Sequence, residues 1–163
     1  MVQVLLVRHG AAIDGAAAPS DAERWLLPDG RRRVREVARV LAARGVGATH
    51  LYTSPLVRAV QTAEILAAAL EPEAVVVHPP LAGGTTAGAL APVERAQDGE
   101  TVVLVGHEPL LRAMAARLTG FDHFPGLRPG AVCAIGWRDG TGSFRWMIDP
   151  RTLAVIDTLD GVD

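Results

Sequence analysis

Short apolar runs alternate with segments of helical periodicity along most of this chain, and this alternation constrains the fold more than any other feature. Residues 2–7 (VQVLLV) and 100–107 (ETVVLVGH) contain the continuous apolar stretches that are typical of strands in buried parallel sheets. Two further strands are expected at 48–54 and 74–78. Strands that alternate with helices form a sheet covered on both faces, so the sequence predicts a three-layer α/β/α sandwich with a mostly parallel central sheet.

Helices are predicted between these strands. Residues 28–45 repeat apolar side chains at helical spacing, and a second helix is expected after Ser54, with Ser54 as its cap and Pro55 in its first turn. A weaker helical pattern covers 87–97, and a clear one covers 109–120. The buried stripe of the second helix is predicted to consist of Leu56, Val60, Ala63, Ala67 and Leu70.

The chain is expected to end in a β-hairpin. Strand-like segments at 131–138 and 142–149 flank the sequence DGTG at 139–142, which is a strong turn signal. The chain has 163 residues, a length that accommodates one domain with a sizeable core. We therefore expect residues 1–163 to form a single domain.

Charge and composition argue against several classes of function. Sixteen basic and 18 acidic residues give a net charge of −2, which disfavours general binding to nucleic acid or to an anionic membrane. The basic run RRRVR at 31–35 is expected to be a solvated helix face. The chain shows no signal-peptide pattern and no apolar stretch of about 20 residues, so we expect a soluble, cytoplasmic protein. The single cysteine, Cys133, is expected to be a small core residue.

Charged side chains follow two of the apolar runs at the point where each strand ends. Arg8 and His9 follow the first run, and His107 follows the run VVLVG. Because the carboxyl ends of parallel strands meet at one edge of a sheet, these residues are expected to converge although about 100 positions separate them. Arg58, in the first turn of the second helix, is expected at the same edge.

Two arginines and two histidines at one sheet edge form a pocket for an anion. Arginine matches phosphate oxygens with two parallel hydrogen bonds, and a neutral imidazole is a competent nucleophile. Positive surroundings would stabilise the charge that spreads over a transferring phosphoryl group. These residues therefore favour a phosphoryl-transfer enzyme, with a phosphate-binding module that lacks turnover as the alternative.

Three segments, in this order and spacing, resemble the histidine phosphatase superfamily, which has the fold of cofactor-dependent phosphoglycerate mutase. They are LLVRHGAA (5–12), LYTSPLVRAVQTAEIL (51–66) and VVLVGHEPLL (102–111). A fourth segment, DAERWLLPDGRRRV (21–34), is similar to the stretch before the first helix in short bacterial members. The length, the GHEP form and the later LTG make the chain most similar to the short phosphohistidine phosphatases of the SixA type.

The resemblance implies a role for each matching residue. His9 would be the nucleophile that is transiently phosphorylated, and Arg8, Arg58 and His107 would bind the phosphoryl oxygens. Glu108 is counted with the substrate-binding residues, with a role in starting the following helix as its alternative. The resemblance implies no metal and no cofactor. The implied partner is a phosphorylated protein, such as a histidine phosphotransfer domain, or a small phosphorylated metabolite, and not a nucleic acid.

The chain departs from the larger members of the superfamily, which carry a glutamate that protonates the leaving oxygen. Between His78 and Val93 it has no Asp or Glu. An alkoxide leaves poorly without a proton, whereas the imidazole of a phosphohistidine can leave as a neutral group. Phosphohistidine is therefore the expected substrate. A small-molecule phosphomonoesterase is the alternative, and it would be favoured if Glu94 or Glu108 lay over His9.

Overall fold

A seven-stranded mixed sheet runs through the centre of the protein, in the order β3-β2-β4-β1-β5-β6-β7. The computed structural model describes residues 1–162. The four strands β1 to β4 are parallel to one another, and the remaining three are antiparallel to their neighbours. The strands are β1 (Val2–Arg8), β2 (His50–Thr53), β3 (Val75–Val77), β4 (Thr101–Gly106), β5 (Val132–Arg138), β6 (Thr141–Ile148) and β7 (Val155–Ile156).

Helices cover both faces of this sheet, which confirms the predicted three layers. Helices α1 and α2 share one hydrophobic core with the sheet, and α3 and α4 share the other. In β1, Leu5 and Val7 point into the first core, whereas Val4 and Leu6 point into the second. This two-sided burial is the reason that β1 is apolar without alternation. The helices are α1 (Pro28–Ala43), α2 (Val57–Leu70), α3 (Thr86–Arg95) and α4 (Leu110–Thr119).

The prediction for the start and the buried face of α2 is wrong in two respects. The residue that precedes the helix is Leu56, so Ser54 is not its cap. Leu56, Val60 and Ala67 of the predicted stripe are only partly buried. The buried face of this helix includes polar side chains, and a prediction based on the spacing of apolar residues does not identify these. The buried residues are Arg58, Ala59, Thr62, Ala63, Leu66 and Leu70.

The antiparallel part of the sheet contains the predicted hairpin. Asp139 and Gly140 have φ angles of 51° and 79° between β5 and β6. Two consecutive residues with positive φ are typical of the turn that matches the twist of a tight hairpin. The two-residue strand β7 was not predicted, because so short a segment carries no periodicity.

The structure also bears on expectations drawn from composition. Cys133 is fully buried, and burial raises the pKa of its thiol to about 12. In the basic run, Arg32 forms ion pairs with Asp29 and Glu36 on an exposed helix surface, as a solvated face requires. None of the helices in residues 1–162 is long and apolar enough to cross a membrane.

Candidate active site

The parallel half of the sheet brings four predicted residues together, and we call Arg8, His9, Arg58 and His107 the inner cluster. Arg8 lies opposite Gly106 in the β1–β4 register, so His9 and His107 follow neighbouring strands at the same edge. The centroids of the two imidazole rings are 5.1 Å apart. Arg58 lies in the first turn of α2, where it is buried, and His9 is only 8% exposed.

His9 is held in one tautomer by its own loop. Its Nδ1 lies 2.7 Å from the carbonyl oxygen of Gly10. Because a carbonyl oxygen can only accept, Nδ1 carries the proton and Nε2 keeps a lone pair. Burial lowers the pKa of His9 to about 4 against the opposing effect of the Gly10 carbonyl, and the nearby His107, Arg58 and Arg8 lower it further. His9 is therefore a neutral imidazole at physiological pH.

His107 pairs with a serine whose function the sequence did not reveal. His107 Nε2 lies 2.7 Å from Ser54 Oγ, and Ser54 is fully buried just beyond β2. Ser54 Oγ accepts the backbone N–H of Leu56, and within residues 1–162 its own proton has no acceptor other than His107, so we assign that proton to the bond with His107. The ring proton of His107 then lies on Nδ1, a buried atom without a hydrogen-bond partner among residues 1–162. Burial lowers the pKa of His107 to about 4, and Arg58 contributes to this shift.

Both arginines keep a buried Nε that has no partner within residues 1–162. Arg8 donates from Nη1 to the Leu127 carbonyl at 2.9 Å, and burial lowers the pKa of Arg8. Arg58 donates from Nη1 to the Asp21 carbonyl at 2.7 Å. Buried donors are rarely left unpaired in folded proteins, and such exceptions often mark a site for a ligand. Together with His107 Nδ1, these atoms can donate to the oxygens of one phosphoryl group.

Helix α2 holds the loops around the cluster through two residues that the sequence did not single out. Thr62 Oγ1 accepts the N–H of Gly10 at 3.0 Å and donates to the Arg58 carbonyl at 2.8 Å. Gln61 Oε1 accepts the N–H of Leu26 at 2.8 Å. The loop that carries His9 is therefore fixed to the same helix that carries Arg58.

Helix α1 begins directly against this loop. The carbonyl oxygen of Ala11 accepts the N–H of Leu27 at 2.9 Å. A Cβ atom at Gly30 would overlap that same oxygen. Only glycine lets the first turn of α1 approach the loop so closely.

Glu108 lies beside the inner cluster but uses both carboxylate oxygens on the backbone. Oε1 accepts the N–H of Leu127 at 2.9 Å, and Oε2 accepts the N–H of Arg112 at 3.2 Å. Leu127 in turn accepts from Arg8. The charge of Glu108 acts on Arg8 by opposing the lowering of its pKa. Glu108 thus supports Arg8 through the Leu127 backbone and also contacts the first turn of α4.

Glu94, the other acid considered from the sequence, lies far from His9, and so does Asp98. Glu94 lines a cavity with Trp137 and Gly140, and Trp137 pairs with Val2 at the first residue of β1. This places Glu94 at the sheet edge opposite to His9. Asp98 forms an ion pair with the amino group of Met1. Within residues 1–162, no group of three or more His, Cys, Asp or Glu side chains is placed to hold a metal ion.

Residues 21–27, which we call the rim segment, cover the solvent side of Arg58. Besides its carbonyl contact, Asp21 accepts from Arg58 Nη2 through Oδ2 at 3.3 Å. Arg24 donates to Asp21 Oδ1 at 3.2 Å and to the Ile13 carbonyl at 2.8 Å. The hydrogen bond from Arg24 and the charge of Arg58 lower the pKa of Asp21. The carboxylate nearest to the cluster is therefore ionised at neutral pH.

Comparisons with known proteins agree with this geometry. The model of the histidine phosphatase superfamily (branch 1) matches residues 4–82. An uncharacterized protein of Picosynechococcus sp. is 38% identical over 146 residues, which are 85% of this chain and 86% of that one. The phosphohistidine phosphatase SixA of Escherichia coli is 30% identical over 158 residues, covering 93% of this chain and 96% of that protein. A solved structure of the protein histidine phosphatase SixA complexed with tungstate superposes with a TM-score of 0.85 and 28% identity, over 93% of this chain and 99% of that one.

Proposed function

This chain belongs to the histidine phosphatase superfamily, and from that premise we propose that it hydrolyses phosphohistidine through a transient phosphoryl group on His9. The family match and the relatives confirm the resemblance seen in the sequence and support a phosphatase. The phosphohistidine substrate and the roles of individual residues are our proposal.

The observation that carries the proposal is the state of His9. Its Nδ1 is bonded to the Gly10 carbonyl, its pKa is lowered to about 4, and Nε2 keeps its lone pair. The nucleophile therefore needs no general base to remove a proton from it. Arg8, Arg58 and His107 each have a buried nitrogen without a partner among residues 1–162, and these nitrogens would bind the phosphoryl oxygens.

We assign the steps to the inner cluster as follows. His9 Nε2 attacks phosphorus while Arg8, Arg58 and His107 hold the phosphoryl oxygens. The bond between phosphorus and the substrate nitrogen breaks as the His9–phosphorus bond forms, and its electron pair stays on the departing imidazole. Water then attacks phosphorus, the electron pair of the His9–phosphorus bond returns to Nε2, and phosphate and a proton leave. Glu108 would affect these steps only through Arg8.

Phosphohistidine fits because the carboxylates near the site are poor proton donors. Asp21 is ionised by Arg24 and Arg58, and both oxygens of Glu108 accept backbone N–H groups. An alkyl ester requires protonation of its leaving oxygen, whereas a protonated imidazole leaves as a neutral group. A small-molecule phosphomonoesterase would be favoured by an acid over His9. Glu94 lies at the other edge of the sheet and does not meet this condition.

We propose that the phosphohistidine is carried by a protein, such as a histidine phosphotransfer domain in a signalling pathway. The support is the similarity to SixA, whose name states a phosphohistidine substrate. The proposal needs no metal or cofactor, because Arg8 and Arg58 supply the positive charge that stabilises a transferring phosphoryl group.

The decisive experiment follows phosphate release from three kinds of substrate with EDTA present. These are a histidine-phosphorylated phosphotransfer domain, para-nitrophenyl phosphate, and a panel of sugar and glycerol phosphates. We expect fast release from the phosphohistidine, slower release from the aryl ester and little from the alkyl esters. Fast release from one alkyl ester would instead identify a small-molecule phosphatase.

Two variants test the role of His9. In His9→Ala the rate should fall by at least about 10³-fold on every substrate, because the nucleophile is gone. His123→Ala removes an exposed histidine and should leave the rate unchanged. Rapid quenching should trap an acid-labile, base-stable phosphoenzyme in the wild type but not in His9→Ala. Equal phosphate release by the wild type and His9→Ala would instead mean that the protein is a phosphate-binding module without turnover.

A further inference from the structure

We propose that Asp21 binds the leaving group and makes the site select a leaving imidazole over an anionic leaving group. This inference rests on the proposed phosphohistidine substrate and extends it to a residue outside the inner cluster. It starts from the position of a carboxylate on the solvent side of a buried arginine.

The position of Asp21 is fixed by contacts on both sides. Arg58 is 9% exposed at its side chain, whereas Asp21 is 67% exposed, so the carboxylate lies between Arg58 and solvent. Arg58 donates to both the carbonyl oxygen and Oδ2 of Asp21, and Arg24 donates to Oδ1. The carboxylate therefore has a defined place at the mouth of the site although it is exposed.

Asp21 also acts electrostatically on the interior of the site. Its negative charge opposes the lowering of the pKa of His107. Arg24 and Arg58 keep Asp21 ionised at neutral pH. Asp21 is thus a negative charge held in contact with Arg58, one of the residues proposed to bind the phosphoryl oxygens.

The direction of phosphoryl transfer brings the leaving group toward this charge. A nucleophile and a leaving group lie roughly in line on opposite sides of phosphorus. His9 is buried at the floor of the site, so the leaving group departs toward solvent, where Asp21 lies.

A carboxylate at that place distinguishes leaving groups by charge. In a phosphoimidazole whose second ring nitrogen is protonated, that N–H can donate to Asp21 as the phosphorus–nitrogen bond breaks. The electron pair goes to the departing nitrogen, the imidazole leaves neutral, and no other proton donor is required. A phenolate or alkoxide gains negative charge as it departs and is repelled by the same carboxylate.

A purely structural role for Asp21 predicts a different result. If Asp21 only held Arg58 in place, its replacement would slow all substrates alike. Asp21→Asn keeps the carbonyl contact with Arg58 Nη1 and the size of the side chain, and it removes the charge. The ratio between two substrates therefore separates the two roles.

The test measures kcat/KM, which reports the steps through transfer to His9, for phosphoimidazole and for para-nitrophenyl phosphate. In Asp21→Asn we expect kcat/KM for phosphoimidazole to fall about tenfold, because a charge-assisted hydrogen bond becomes a neutral one. The value for para-nitrophenyl phosphate should stay constant or rise. Glu23→Gln is the matched control and should change neither value, since Glu23 lies in the same turn but its side chain bonds, within the described part of the chain, only to Ser20.

One outcome would overturn the inference while the proposed function stands. In Asp21→Asn the ratio of kcat/KM for the two substrates would stay at the wild-type value, whether both slow by the same factor or neither changes. If the wild type hydrolyses para-nitrophenyl phosphate but neither phosphoimidazole nor a histidine-phosphorylated domain, the proposed function itself fails, and the inference fails with it.

Discussion

The inner cluster and the rim segment meet where Arg58 binds Asp21, yet the two are held in different ways. The inner cluster follows the ends of β1 and β4 and the first turn of α2, so sheet register and helix packing place it. The rim segment begins in a single 3₁₀ turn, where Arg58 and Arg24 donate hydrogen bonds to Asp21, and it is fixed further along where Leu26 donates its N–H to Gln61.

This difference separates two parts of the proposed chemistry. In the inner cluster His9 and Arg58 are buried, Arg8 and His107 are partly buried, and the low pKa values keep both histidines neutral, which serves every phosphoryl substrate in the same way. The rim segment is mostly exposed and carries the charge of Asp21, which we propose acts on the leaving group. Changes in the inner cluster should therefore slow all substrates, and removal of the Asp21 charge from the rim segment should alter the ratio between substrates.

The largest effect that sharpens this comparison is expected for Arg8→Lys. Lysine keeps the charge but cannot present the planar fork of donors, so kcat/KM should fall about 10²-fold on phosphoimidazole and on para-nitrophenyl phosphate alike. Arg35→Lys, an exposed position on α1, is the control and should have no effect. A loss confined to one substrate would break the distinction between the two regions.

A smaller effect is expected for Ser54→Ala. Without the Ser54 hydroxyl, His107 loses the bond that places its proton on Nδ1, and kcat/KM should fall about tenfold on both substrates. Nitrogen chemical shifts of the imidazole would report the change of tautomer directly. Ser143→Ala, at an exposed position of β6, serves as the control. Wild-type kinetics in Ser54→Ala would show that the assigned tautomer is not needed.

The third prediction concerns the stability of the fold against pH. The pKa of His9 is about 4 in the folded protein and 6.5 without the fold, so the unfolded chain binds more protons between these values. The free energy of unfolding should therefore decrease as the pH falls from 6.5 toward 4, by up to about 1.4 kcal/mol per pH unit from His9.

Urea titrations at several pH values measure this slope, which should be shallower in His9→Gln because glutamine does not titrate. The rim segment should contribute only at lower pH, because the pKa of Asp21 is lowered from 3.8. Equal slopes in the wild type and His9→Gln would mean that burial does not suppress protonation of His9.

The features that could be predicted from the sequence are the buried strands, which appear as apolar runs, and the polar residues at the ends of those runs. Strands β1 and β4 are continuous apolar runs, and the polar residues that follow them meet at one sheet edge for that reason. The same reasoning failed for α2, since Arg58 and Thr62 face inward, where an apolar stripe was expected. Ser54 also follows the end of a strand, β2, as His9 and His107 follow theirs. That position could have indicated a role in the site, but Ser54 was interpreted as a helix cap instead.

The contact between Asp21 and Arg58 lay beyond prediction for a different reason. It joins residues 37 positions apart through a short turn without periodicity, so only the folded chain brings them together. The environment that suppresses protonation of the two histidines is likewise a property of burial in the assembled site and not of any local pattern.

The close approach of α1 to the loop behind His9 has a consequence for protein engineering. Replacing a glycine inside a helix by alanine commonly stabilises a protein by about 0.5 to 1 kcal/mol. At Gly30 the added methyl group would press on the Ala11 carbonyl oxygen, two residues after the proposed nucleophile. A thermostability screen that favours helix-forming residues should therefore accept alanine at many surface positions of α1 and reject it here, where the helix also serves as a spacer for the catalytic loop.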